Sequence, residues 1–375
     1  MVQALAKEFE QKHPGVTIKF EAIPYDSYFD KLYTSLTSNI GPDVFQIGAP
    51  MAQEMIHSGK LTPVPPSVYT TDQIKDKFLD WTVQPGFADG KYYGLPTDVQ
   101  TLVLFINNKL FQEAGGDPKN PPKTWEEFEK YAVAGTKRDA SGKITQAGLD
   151  TRYKWAVYTA FLYQNIDGPV VDAQAKKVTY DGPQGMAAWD FVKKLMVDDK
   201  VDSPEFMAGQ FKFELGKAVF YINHPVTRGR IEKMAPNLDY SIAQLPVPAG
   251  KPNINAGHSW MYVVNKGSKH ADMAWEWVKF LDSKEADLKW VKEAGDLPSL
   301  KELLNDESLW KDDKAKVVRE SLKYTRPSQE IGEDDVNKIR QTIWDNIVIK
   351  GMKVNDAVKA GAEQENALIA KKLGS

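Results

Sequence analysis

Five histidines, at positions 13, 57, 224, 258 and 270, are the first side chains to weigh for chemistry in this 375-residue chain. No two stand four residues apart and no spacing among them suits a ligand set, so no metal is expected. Ser259 lies in GHSWM, which lacks the closing glycine of a nucleophile elbow. No glycine loop leads into Gly-Lys-Ser or Gly-Lys-Thr, so no P-loop is present. Cysteine is absent, and with it thiol catalysis, disulfides and cysteine-bound zinc. The 51 acidic residues permit some carboxylate pair in space, but permission is not a catalytic signal. Binding chemistry remains. Aromatic residues make up 11% of the chain, with 10 tryptophans and 15 tyrosines, whose flat apolar faces each carry a polar atom. Gln46 is expected to end the strand that opens in GPDVFQIGAP, where its amide offers a donor and an acceptor together. No enzymatic activity and no cofactor are expected.

Elements must deliver these residues. Val2, Leu5, Ala6 and Phe9 fall at helical spacing, and Val16, Ile18, Phe20 and Ala22 alternate as a strand. A second helix carries Phe29, Leu32, Tyr33 and Leu36, and Gly41-Pro42 leads into the strand that brings Gln46 to its end. Helix, strand, helix, strand reads as a doubly wound α/β order with mostly parallel pairing. Further strands are expected at Leu102–Ile106, in KAVFYINHP and in MYVVN; Thr124 and Glu127 form a capping-box pattern. Ala188, Phe191, Val192 and Leu195 make one helical stripe, and Ala274, Trp277, Val278 and Leu281 another. PVPAGKPNINAGHSW, rich in proline, glycine and asparagine, marks a domain crossing. Charged helices fill most of 299–325 as solvated surface, and two more end near Leu373.

Length favours two or more domains. A net charge of -3 lacks the basic excess of a nucleic-acid binder, and no apolar run reaches the length of a membrane span. Met1 is followed at once by an amphipathic segment, with no signal peptide.

GPDVFQIG, YGLPTDVQTLVLFINNKLFQEAG, KTWEEFEKYA, GKAVFYINHP and AGHSWMYVVNKGSKHADMAWEWVKFL, in that order, resemble the extracellular solute-binding proteins of the maltose-binding-protein group, sugar receptors of bacterial ABC importers. The resemblance runs from Val2 to the C-terminal helices, with one departure. Members of the family begin with a strand and a ligand-facing loop before the helix that starts here at Val2, which implies an N-terminally trimmed chain lacking its first β-strand.

The resemblance implies an α/β fold of two lobes, each a mostly parallel sheet flanked by helices, closing by hinge rotation on a mono- or oligosaccharide. Lobe 1 would be 1–98 plus 261–304 and lobe 2 would be 99–260 plus 305–375, with crossings near Asp98–Thr101, near Trp260 and around 305. It implies a monomer outside the cytoplasm, in the periplasm or anchored at the cell surface. That monomer would deliver sugar to the membrane permease subunits of an ABC importer. Ligand contacts would come from Gln46 and from Asp98, whose carboxylate can accept from two adjacent hydroxyls. Trp155 and Tyr158, three apart and so on one helix face, would be platforms. Asn223, His224, His258, Ser259, Trp260, Asp296 and Arg326 would line the cleft. Two rival functions use the same residue types: a glycoside-acting enzyme, and a receptor for a charged solute such as a sugar phosphate. The second would draw on Arg152, Arg228 or Arg326.

Overall fold

The computed structural model describes residues 2–38, 40–172, 175–294, 297–328 and 330–373. The chain folds as two compact units, Met1–Val99 with His258–Glu307, and Gln100–Gly257 with Ser308–Ser375.

In the first unit the opening helix, Val2–Lys12, buries Leu5, Ala6 and Phe9. That stripe packs with Trp277 and Leu281 of the helix Ala271–Leu281. The helix Ala271–Leu281 also packs on the sheet. Strand Trp260–Asn265 is its spine, paired with Val44–Gly48 on one side and with Leu61–Thr62 and Leu95–Pro96 on the other. These pairings are all antiparallel, which corrects the expected parallel order. The reason is where the chain re-enters. Gly48, the last residue of its strand, lies opposite Trp260, the first of the returning strand, so the two must run in opposite directions. The strand expected over residues 16–22 is also corrected. No strand forms there, and Phe20 is 44% exposed. Alternation sets which side chains share a face, but only a partner makes a strand.

The second unit is built on a five-stranded mixed sheet in the order Tyr240–Ala243, Val103–Asn107, Ala218–Asn223, Ile144–Asp150, Lys137–Arg138. Only the central pair, Ala218–Asn223 beside Ile144–Asp150, is parallel; the other pairings are antiparallel. Val103–Asn107 and Ala218–Asn223 are buried at every position, as strands covered on both faces must be. Helix Trp125–Gly135 starts with the reciprocal capping box of Thr124 and Glu127. It lies so close to strand Ile144–Asp150 that a Cβ at Gly148 would meet the Ala132 carbonyl oxygen at 2.0 Å; only glycine allows that approach. Two closing helices, Glu333–Val348 and Val354–Leu373, add Ile343, Trp344 and Ile369 to the same core. Buried Arg340 joins them through Glu365.

Candidate functional site

Each unit gathers chemistry-bearing residues at one end of its sheet. In the first unit they meet where Val44–Gly48, Thr97-Asp98 and the start of Trp260–Asn265 converge. Gln46 sits mid-strand opposite Tyr262, not at the strand end. Its side chain shares a face with Gly48 and Tyr262 through the two-residue period. Both backbone groups of Gln46 are held by one hydroxyl. Tyr28 donates to its carbonyl at 2.6 Å and accepts from its N–H at 3.1 Å. Burial pushes that phenol up to about 12, against the opposing pull of the Gln46 hydrogen bond. Tyr28 is therefore a neutral donor at ordinary pH.

From Gln46 a short relay runs to Asp98. The Gln46 amide donates to Thr97 Oγ1 at 3.2 Å, and Thr97 Oγ1 donates to Asp98 Oδ1 at 3.3 Å. The same Oδ1 accepts from the Trp260 N–H at 2.9 Å, while Ser259 Oγ donates to the Asp98 carbonyl at 2.8 Å. Asp98 is 4% exposed and Ser259 1%. These two are clamps that hold the returning strand. Trp260 and His258 stay partly exposed. The indole lies nearly parallel to Phe29, 9° apart with centroids at 6.1 Å, and meets the His258 ring edge-on at 5.8 Å.

In the second unit the parallel pair ends together, Tyr221 opposite Asp150, and the C-terminal ends of parallel strands are where α/β folds bind ligands. Beyond Asp150 come Thr151, Arg152 and Tyr153, then the helix Lys154–Asn165. Beyond Asn223 comes His224, whose Nδ1 lies 2.8 Å from the Thr101 carbonyl oxygen. A carbonyl only accepts, so Nδ1 carries a proton and the ring is fixed. Trp155, half-buried, faces it with centroids 5.1 Å apart, and Tyr153 continues the aromatic strip 6.5 Å from Trp155. Asn223 is turned inward. It is 5% exposed, its amide donates to Tyr221 Oη, and its Oδ1 accepts from the His224 N–H at 2.7 Å.

Tyr158 is a correction. It is 1% exposed and packs 5.4 Å from Trp189 in the core. The helix is buried on every side from Ala156 to Asn165, so a residue three positions from Trp155 has no exposed face to share. Arg326 donates to the Asp167 carbonyl at 2.9 Å and helps hold the Asp167 carboxyl below its usual range, behind the stronger hydrogen bonds from Lys251 and Gln184. Asp296 lies outside the described residues. Tyr28, Thr97 and Tyr153 were not anticipated. Of these only Tyr153, two residues before Trp155 in RYKW, left a signal in the chain.

Buried carboxyls lie beneath both sheet ends. Burial raises Asp150 to about 6, although the N–H groups of Arg152 and Phe213 donate to it at 2.9 and 3.0 Å. In the first unit burial raises Asp287 to about 7 and lifts Asp282 well above the carboxylate range, each assisted by a neighbouring aspartate. Among the described residues no group of three or more histidines and carboxylates could hold a metal ion, and no helix is long and apolar enough to cross a membrane.

Several known proteins are similar to this chain. A Brucella abortus protein named only as a binding protein is 28% identical over 260 residues, 66% of this chain and 60% of that one. The galactooligosaccharide-binding protein of Bacillus subtilis is 25% identical over 339 residues, 87% of this chain and 76% of that protein. Among solved structures, an ABC substrate-binding protein of Listeria monocytogenes in complex with cycloalternan superposes with a TM-score of 0.85. It is 20% identical, and the match covers 100% of this chain and 95% of that one. The sequence pattern of the bacterial extracellular solute-binding proteins matches residues 2–288. The chain therefore belongs to the bacterial extracellular solute-binding proteins.

Proposed function

We propose that this protein captures a carbohydrate outside the cytoplasm and delivers it, chemically unchanged, to the membrane subunits of an ABC importer. The observation that carries the reading is the partly exposed pair of Trp155 and His224 at the end of the parallel strands. An indole face takes the C–H face of a sugar ring while imidazole and amide groups bond its hydroxyls. Family membership and the oligosaccharide named for the Bacillus subtilis relative support it.

Gln46, Trp155, His224, His258 and Trp260 are the proposed ligand contacts. Asp98, Ser259 and Asn223 position them, because their polar atoms are engaged by the protein. A ligand that engages both units favours a closed state by its differential affinity, and the protein acts as a monomer.

Calorimetry against a panel of mono- and oligosaccharides tests the capture. Chromatography of the recovered ligand tests that it is unchanged, and small-angle scattering tests for a smaller radius of gyration at saturation. Turnover of the sugar would reject the receptor reading in favour of a glycoside-acting enzyme.

A further inference from the structure

Three arginines were candidates for meeting a charged ligand, and they differ in their partners. Arg228 lies 3.5 Å from Asp312, and Arg326 is held at Asp167. Arg152 has no carboxylate within ion-pair distance among the described residues. Its guanidinium lies 4.2 Å from the centre of the Phe211 ring and 5.4 Å from that of Tyr153. Nη1 donates to the Gly209 carbonyl, Nε is buried without a partner among the described residues, and Nη2 is uncommitted there too.

The carboxylates of this sheet end are spent elsewhere. Asp150 accepts from the backbone of Arg152 and Phe213. Asp202 accepts from Thr151 and Lys212. Glu214 accepts from Arg230 Nε at 2.6 Å, and that second guanidinium lies 4.5 Å from the centre of the same Phe211 ring. So one arginine over Phe211 is neutralised and the other is not. The unmatched one adjoins the strip Tyr153, Trp155, His224, and the helix that follows starts with no side-chain cap and no acidic residue in its first turn. A half-buried, stacked guanidinium anchored through Nη1 still offers Nη2 for a charge-assisted hydrogen bond to a carboxylate oxygen.

We propose that the saccharide bound at this strand end carries a carboxylate, as a uronic acid does, and that Arg152 pairs with it. This rests on the carbohydrate-capture reading and narrows its ligand class. A single unmatched guanidinium suits a single negative charge. A phosphate monoester brings roughly 1.5 to 2 charges at neutral pH, and the other arginines are committed.

The test is calorimetry at low salt with disaccharides of glucuronic and galacturonic acid, each beside its carboxyl-reduced form of the same stereochemistry, and a neutral oligosaccharide panel as reference. At least one acidic sugar should bind about tenfold or more tighter than its reduced counterpart, and added salt should erode that ratio. Arg152→Gln should shrink the ratio toward one, and Arg152→Lys should restore part of it. If either variant fails to fold, the ratio and its salt dependence in the unaltered protein still decide. Reduced or neutral sugars binding as tightly as the acids would overturn the carboxylate proposal and leave carbohydrate capture standing. No binding of any saccharide would overturn both.

Discussion

The two sheet ends solve one problem in opposite ways. In the first unit the polar residues are sunk and knotted to backbone. Asp98 and Ser259 are nearly inaccessible, and one tyrosine hydroxyl satisfies both backbone groups of Gln46. In the second unit the buried polar layer, Asp150, Asp202 and Lys212, lies underneath and carries half-exposed rings and a guanidinium above it. The first end is mainly a clamp on the returning strand, while the second presents a surface. Changes in the first should therefore be read mostly as stability, and changes in the second mostly as affinity.

The largest expected effect lies in the buried carboxyls of the first unit. A carboxyl raised by burial contributes stability that is full below its ordinary value near 3.8 and is lost as pH climbs toward about 7. Asp287 is 3% exposed, with one oxygen accepting from the Leu300 N–H at 3.0 Å and the other without a hydrogen bond among the described residues. Asp287→Asn should therefore stabilise the protein at pH 8 by up to about 4 kcal/mol and change little at pH 4. Urea unfolding at the two pH values measures this. An equal shift at both would show that packing, not ionisation, governs the site.

Removing the clamp comes next. Asp98→Ala leaves the part-buried Trp260 N–H without its acceptor, and hydrogen bonds to charged groups are worth about 1.5–3 kcal/mol. The melting temperature should fall while the affinity of the folded fraction changes less than the stability does. A large affinity loss without destabilisation would make Asp98 a ligand contact and blur the contrast between the two ends.

The aromatic residues test the contrast from the other side. Trp155→Ala should weaken carbohydrate binding by roughly 30-fold, about 2 kcal/mol, as the loss of a stacking surface does. Its melting temperature should move little. Trp260→Ala should do the reverse, lowering stability through lost packing on Phe29 with a smaller effect on binding. Thermal melts and calorimetry on both variants separate the outcomes, and equal effects on affinity would make the two ends equivalent.

Local features were legible before the fold was known, because their information lies within one turn or one strand. Thr124 and Glu127 stand three apart and cap each other as their types require, and the stripe Ala274, Trp277, Val278, Leu281 is buried throughout. What failed depended on distant chain. The direction of the first sheet followed from where residue 260 re-enters. The alternation over 16–22 carried no information about a partner. Tyr158 misled because the helix Lys154–Asn165 is buried nearly all round, so helical spacing could not separate a core ring from a platform. Tyr28 was unreadable for the same reason as the sheet: it acts on Gln46 from 18 positions away.

The smallest effect expected is at Gln46, and it tests the comparison most finely, because this side chain belongs to the clamped unit yet remains partly exposed. Its Nε2 is engaged by Thr97 Oγ1 at 3.2 Å, while Oε1 makes no hydrogen bond among the described residues and can accept from a sugar hydroxyl. The backbone at Gln46 is braced by Tyr28 whatever side chain stands there, so Gln46→Ala should leave the strand paired and shift the melting temperature little. One neutral hydrogen bond is worth about 0.5–1.5 kcal/mol, which predicts a 2- to 13-fold weaker Kd. Calorimetry with the best-binding saccharide measures it. Unchanged affinity in a fully folded Gln46→Ala protein would assign this strand wholly to the clamp and leave recognition in the first unit to Trp260 and His258.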